Sequence, residues 1–186
     1  MIRRWFQRVP RGLLLGFVPG LLVIGASGAH PAYAVDTTVA DIVNLNGPNG
    51  FGPCLDLVNG TVLIEPCNDR STTQDWKLVR VPNNDNFLIR NDSTGQCLDI
   101  KDHDRSSGAQ VVPRTCAFDG SDPFELWEQE SVITASNGDV YGELANEGDG
   151  TDLVMHPSGC STAAGSQIFM NERSQCTSDW WGFFAS

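Results

Sequence analysis

Three residue types in this chain are equipped to bind or react: carboxylates, cysteines and a few histidines. There are 23 Asp plus Glu, six Cys and three His among 186 residues. His30 lies near the N-terminus, which leaves His103 and His156 as bases for Ser-His or Cys-His chemistry, a meagre supply. A Glu–Asp hydrolase pair is not excluded by counting. Yet most acids sit in turn-like clusters such as Gly148-Asp149-Gly150 and Asn83-Asn84-Asp85, where solvated turns explain them. No two cysteines have the close spacing of a zinc site, and Gly148–Asp152 lacks the spacing of a calcium loop. The reading is a protein that binds rather than catalyses, with no metal and no cofactor.

The elements that position such groups begin after a leader. Arg3, Arg4, Arg8 and Arg11 precede a short apolar run, Leu13–Ile24, and Ala32-Tyr33-Ala34 offers a signal-peptidase site. Residues 1–34 are therefore expected to be a signal peptide, with an N-terminal membrane anchor as the alternative. Arg3-Arg4-Trp5-Phe6 also weakly resembles a twin-arginine export motif. The whole chain carries a net charge of −11, and losing four arginines makes the remainder more acidic. Such a chain repels phosphate backbones and anionic membranes, so neither nucleic acid nor a membrane surface is an expected partner. No later stretch is apolar enough to span a bilayer. All six cysteines follow the leader, which in an oxidising compartment favours three disulfides.

Residues 35–186 read as one domain built from a repeat. Gly95-Gln96-Cys97-Leu98-Asp99-Ile100 echoes Gly52-Pro53-Cys54-Leu55-Asp56-Leu57. Each is followed by a second Cys and then a Trp: Cys67 and Trp76, Cys116 and Trp127. A worn third copy places Gly150-Thr151-Asp152-Leu153-Val154-Met155 in the same slot, with Asp152 for the Cys and Val154 for the Asp, and ends at Trp181. The units span about 38–81, 82–132 and 133–186. Repetition argues for cysteine pairing within units, Cys54 with Cys67 and Cys97 with Cys116. Cys160 and Cys176 are out of register with those positions and are expected to pair and brace a local insertion.

Within the units, short β-branched runs such as Val62-Leu63-Ile64 and Gln110-Val111-Val112 are broken by Asn, Gly, Asp and Pro. That predicts an all-β fold, and three equal units favour a closed pseudo-threefold arrangement with no open sheet edge. Asn59-Gly60-Thr61 and Asn91-Asp92-Ser93 also match the glycan-acceptor pattern.

Cys-Leu-Asp, a later Cys and then Gln-x-Trp, three times over, resembles the ricin B-chain-like lectin family across roughly residues 38–186. The resemblance implies a β-trefoil in which Trp76, Trp127 and Trp181 fill the core. It also implies one sugar pocket per repeat. An Asp from Cys-x-Asp accepts bonds from sugar hydroxyls, an aromatic ring floors the pocket, and Gln or Asn adds polar bonds.

Carried across by residue, the second repeat keeps Asp99. Val112 stands for the usual Gln, Arg114 for the aromatic, Glu125 for the Gln of Gln-x-Trp and Phe124 for the preceding Asn. The first repeat keeps Asp56 and Gln74, with Leu63, Glu65 and Thr73 at the other positions and a shortened loop. The third lacks the Asp, carries Phe169 and Asn171, and is expected to be dead. Two roles stay open for Arg114: a salt bridge to Asp99 that closes the pocket, or a contact to an anionic glycan. His103 is either a solvated loop residue between acids or a substitute flat face.

The resulting expectation is a secreted, monomeric β-trefoil that binds a glycan or glycoprotein through Asp99, Arg114, Glu125 and His103, with Asp56 and Gln74 as a lesser site. The alternative is a degenerate trefoil that binds protein, as a toxin's receptor-binding subunit or a protease inhibitor.

Overall fold

A computed structural model describes residues 38–45, 52–82, 84–136, 138–150, 152–173 and 177–185. The expected leader lies outside these residues. Twelve strands follow one another: β1 (Thr38–Asn44), β2 (Cys54–Val58), β3 (Thr61–Glu65), β4 (Asp75–Arg80), β5 (Phe87–Asn91), β6 (Cys97–Ile100), β7 (Ala109–Arg114), β8 (Trp127–Thr134), β9 (Val140–Asn146), β10 (Leu153–Pro157), β11 (Ser166–Glu172) and β12 (Trp180–Ala185). Only short 3₁₀ turns interrupt them, and no α-helix occurs among the described residues.

Antiparallel pairing runs β1 to β4, β5, β8, β9, β12 and back to β1, which closes a barrel. Three hairpins, β2–β3, β6–β7 and β10–β11, lie off that ring and meet through β11, which pairs with both β3 and β7. This is the β-trefoil arrangement. Closure leaves the ring strands no free edge, so chains of four short strands that would be unstable alone hold together.

Local chemistry sets each hairpin. In β3, Val62 and Ile64 are buried while Thr61, Leu63 and Glu65 are only partly so, the period of two that a half-buried strand requires. Asn59 and Gly60 join β2 to β3 with φ of 50° and 78°, the paired left-handed conformation of the tightest hairpin turn. That turn explains the short first loop. Asn91 is fully buried, and its Nδ2 donates to the Thr73 carbonyl, so of the two acceptor sequences only exposed Asn59 is accessible.

The threefold relation is written in hydrogen bonds. Trp76, Trp127 and Trp181 are fully buried, and their indole N–H groups donate to the carbonyls of Leu55 (3.0 Å), Leu98 (3.1 Å) and Met155 (2.7 Å). Asn44, Asn91 and Asn146 each donate to the carbonyl three residues before one of these tryptophans: Ser178 (2.7 Å), Thr73 (2.8 Å) and Phe124 (2.8 Å). Around the indoles pack Ile42, Leu57, Ile89, Ile100, Leu144 and Met170.

These bonds correct the register of the third repeat. Met155 is the counterpart of Leu55 and Leu98, so Val154 takes the Cys position and His156 the Asp position. Hairpin partners agree: Asp56 faces Leu63, Asp99 faces Val112 and His156 faces Phe169. The expected slot lay two residues early. The loops leading into β2, β6 and β10 differ in length, so the glycine ahead of the slot is no anchor in the sequence; the indole and the hairpin partner are.

Two of the three expected disulfides are seen, Cys54–Cys67 and Cys97–Cys116. Each ties the first residue of an outer hairpin to the segment just beyond its second strand. The third expected pair reaches Cys176, which lies outside the described residues.

Candidate functional site

The second repeat forms a cavity of about 580 Å³ lined by Asp99, Asp102, His103, Arg114, Thr115, Asp122 and Glu125. Asp99 enters from β6 and is 3% exposed. Its Oδ2 lies 3.7 Å from Arg114 Nε, and its Oδ1 has no hydrogen-bond partner. Arg114 ends β7, with a half-exposed side chain whose Nη2 is also 3.7 Å from Asp102 Oδ1.

A loop and a turn supply the opposite wall. Asp102 and His103 both hold positive φ, 57° and 54°, which folds the β6–β7 connection back over the cavity. His103 Nε2 lies 3.2 Å from Asp122 Oδ2, and its ring stacks on Phe124 at 4.4 Å between centroids and 2° between planes. Asp122 Oδ1 accepts from Phe124 N at 3.0 Å, capping the 3₁₀ turn Pro123–Glu125. Glu125 is buried, and its Oε2 accepts from Ala117 N at 2.6 Å.

Electrostatics make the floor uneasy. Burial raises the Asp99 carboxyl above its ordinary range, and the Asp122 charge adds to this; His103 and Arg114 oppose it. Burial also raises Glu125, against the Ala117 bond, with Asp99 and Asp122 adding repulsion. Two buried acids thus face one another with their positive neighbours at the rim.

The other repeats use the equivalent places differently. In the first, Gln74 Nε2 donates to Asp56 Oδ2 at 2.9 Å and to the Pro66 carbonyl at 3.2 Å, while Gln74 Oε1 accepts from Asn68 N at 2.8 Å. Gln74 is thereby knotted to three neighbours and Asp56 has an internal amide. In the third, His156 is buried, which lowers its pKa, and it hydrogen-bonds to Asn171.

Asp99, Arg114, Glu125 and His103 therefore meet in one cavity, whereas Asp56 and Gln74 meet only each other in the first repeat. Of the two roles open to Arg114, the bridge to Asp99 is present, although the cavity beside it stays open. One face of His103 is taken by Phe124. Sequence reasoning missed Asp122. Its signal was the Asp-Pro pair, a helical-turn cap, immediately ahead of the Trp segment.

A family model described as ricin-type beta-trefoil lectin domain-like matches residues 36–114 and 72–171. The chain belongs to this ricin-type lectin-like family. No curated protein matches it. Among solved structures, the ricin-type chain is similar to ThreeFoil, a designed threefold-symmetric protein, with a TM-score of 0.62 and 19% identity over 79% of this chain and 98% of that one. It is similar to a Macrolepiota procera ricin B-like lectin in complex with lactose, with a TM-score of 0.60 and 17% identity over 82% and 99%. An exo-beta-1,3-galactanase from Clostridium thermocellum gives a TM-score of 0.64 and 23% identity over 81% of this chain but 31% of that one. At these identities the solved structures speak for the fold. In this ricin-type domain the family's repeated Asp position thus holds Asp56, Asp99 and His156.

Proposed function

We propose that this ricin-type domain is a secreted carbohydrate-binding module whose working site is the second-repeat cavity. One observation carries the choice of repeat: Asp99 lies at the floor of an open cavity with only Arg114, at 3.7 Å, against its Oδ2, while the Oδ2 of its counterpart Asp56 is held by the Gln74 amide. A ligand hydroxyl would bond the Asp99 carboxylate from the cavity side through a charge-assisted bond, and burial would strengthen it. The lactose complex of the Macrolepiota lectin supports the substrate class. The leader-like first 34 residues and the disulfides support export. No group in the cavity is assigned a catalytic step; binding is the activity proposed.

The test is a glycan array followed by calorimetry with the best hit. Asp99→Ala is expected to abolish binding with the melting temperature no lower than that of the parent. Undiminished affinity in that variant removes the site. A second reading, protein binding, rests on the end of the β8–β9 hairpin, where Val132 and Val140 are 56% and 49% exposed. A protein partner lost in Val132→Ser, with no array hit, favours that reading.

A further inference from the structure

The cavity of the second repeat has an unbalanced charge inventory. Four carboxylates line it, Asp99, Asp102, Asp122 and Glu125, against Arg114 and His103. Arg114 is shared between Asp99 and Asp102, each at 3.7 Å, and His103 lies against Asp122 at 3.2 Å. Among the described lining residues no cationic group is left over for an anionic ligand, and the nearby Arg105 guanidinium lies over the Phe124 ring, 5.4 Å from its centroid. What remains is the buried Asp99 carboxylate, whose 3.7 Å contact to Arg114 is longer than a hydrogen bond, and Glu125, fixed by one backbone N–H. The Asp122 charge raises the proton affinity of both Asp99 and Glu125, and Asp99 adds to that of Glu125, so a positive charge placed among these acids would relieve a repulsion already present.

We infer that the ligand of this cavity presents a free ammonium group to Asp99 and Asp122, so that the sugar class is a non-acetylated amino sugar. This rests on the carbohydrate-binding reading and replaces the anionic glycan as the partner of the Arg114 cavity. The acceptor atoms of Asp99, Asp122 and His103 lie within 4.8 Å of one another, near enough for one small cationic group to touch both acids. An ammonium carries three donors and needs only acceptors. A bare metal ion fits less well. Calcium seeks about six to eight oxygens, and repulsion from Arg114, 3.7 Å from Asp99, is twice as large for a divalent ion as for an ammonium. A cavity of about 580 Å³ is sized for a sugar ring rather than an ion. The chain's net charge of −11 would also gather cationic glycans from solution.

The experiment is calorimetry of the whole protein with glucosamine oligomers, N-acetylglucosamine oligomers, lactose and calcium or zinc ions. Glucosamine oligomers are expected to bind at least about tenfold more tightly than their acetylated forms. The preference should shrink with added salt and be lost in Asp122→Asn, which still accepts from Phe124 N, and in Glu125→Gln; unchanged melting temperatures show that both variants fold. Neutral sugars that bind through Asp99 with no preference for the amine would leave the lectin reading standing and overturn this inference. Absence of any sugar binding would remove both. An amine preference that survives Asp122→Asn and Glu125→Gln would be mere polycation adsorption and would overturn it, as would binding of the metal ions with no amino-sugar binding.

Discussion

Asp99 and His156 occupy equivalent places yet carry opposite acid–base consequences. The folded-state pKa of Asp99 is raised, so the folded protein holds that proton more tightly than the unfolded chain. Stability is then lost as pH rises from the unfolded carboxylate value, about 4, through the folded value. Asp99→Asn is expected to raise the melting temperature near neutrality, and the advantage should vanish at about pH 3, where the parent is protonated in both states. Thermal melts at the two pH values check this. Burial lowers the pKa of His156, so its neutral form is the one that fits. Stability there falls as pH drops below the unfolded imidazole value of about 6.5. His156→Gln is expected to flatten the melting profile in that weakly acidic window while leaving the Asp99 effect in place.

At the level of elements, the β6–β7 hairpin is what holds the site. Leu98 and Asp99 are adjacent on β6, and the Trp127 indole bonds the Leu98 carbonyl at 3.1 Å. Trp127→Phe leaves that buried carbonyl without its donor, at a cost of about 1–3 kcal/mol. Denaturant unfolding reads the loss. Cys97 pairs in register with Arg114, and the disulfide to Cys116 clamps the strand just beyond that arginine. Replacing both cysteines by Ala is expected to cost about 2–4 kcal/mol, mainly by freeing the unfolded chain, and to weaken ligand binding by loosening Arg114. Retained affinity in a destabilised double variant would show that the strand pairing alone positions the arginine.

For the whole molecule, stability depends on closing the ring. The buried Asn44, Asn91 and Asn146 tie one unit to the next through the carbonyls of Ser178, Thr73 and Phe124. A chain ended after residue 132 would lose β9 and β12, leaving β1 and β8 with unpaired edges. It is expected to aggregate rather than fold, because long-range pairings are what satisfy those backbone groups. Loss of near-ultraviolet dichroism and light scattering would reveal it. Folding of that fragment to a soluble monomer would show that two units suffice.

Residue order alone disclosed the repeat, the strand periodicity and the pairing of Cys54 with Cys67 and Cys97 with Cys116, because covalent spacing and alternation are local properties; the Trp core followed from the family resemblance that the repeat carries. The same resemblance pointed to Asp99, Arg114 and Glu125 at the family's pocket positions, with His103 beside them. Only the tertiary structure decided the third register, where an indole-to-carbonyl bond from β12 to β10 puts His156 in the Asp place. Only it brought Asp122 beside His103 and showed Asp99 and Glu125 buried in the lining of one open cavity. Those facts depend on burial and on contacts between segments far apart in the chain, and neither is a function of spacing along it.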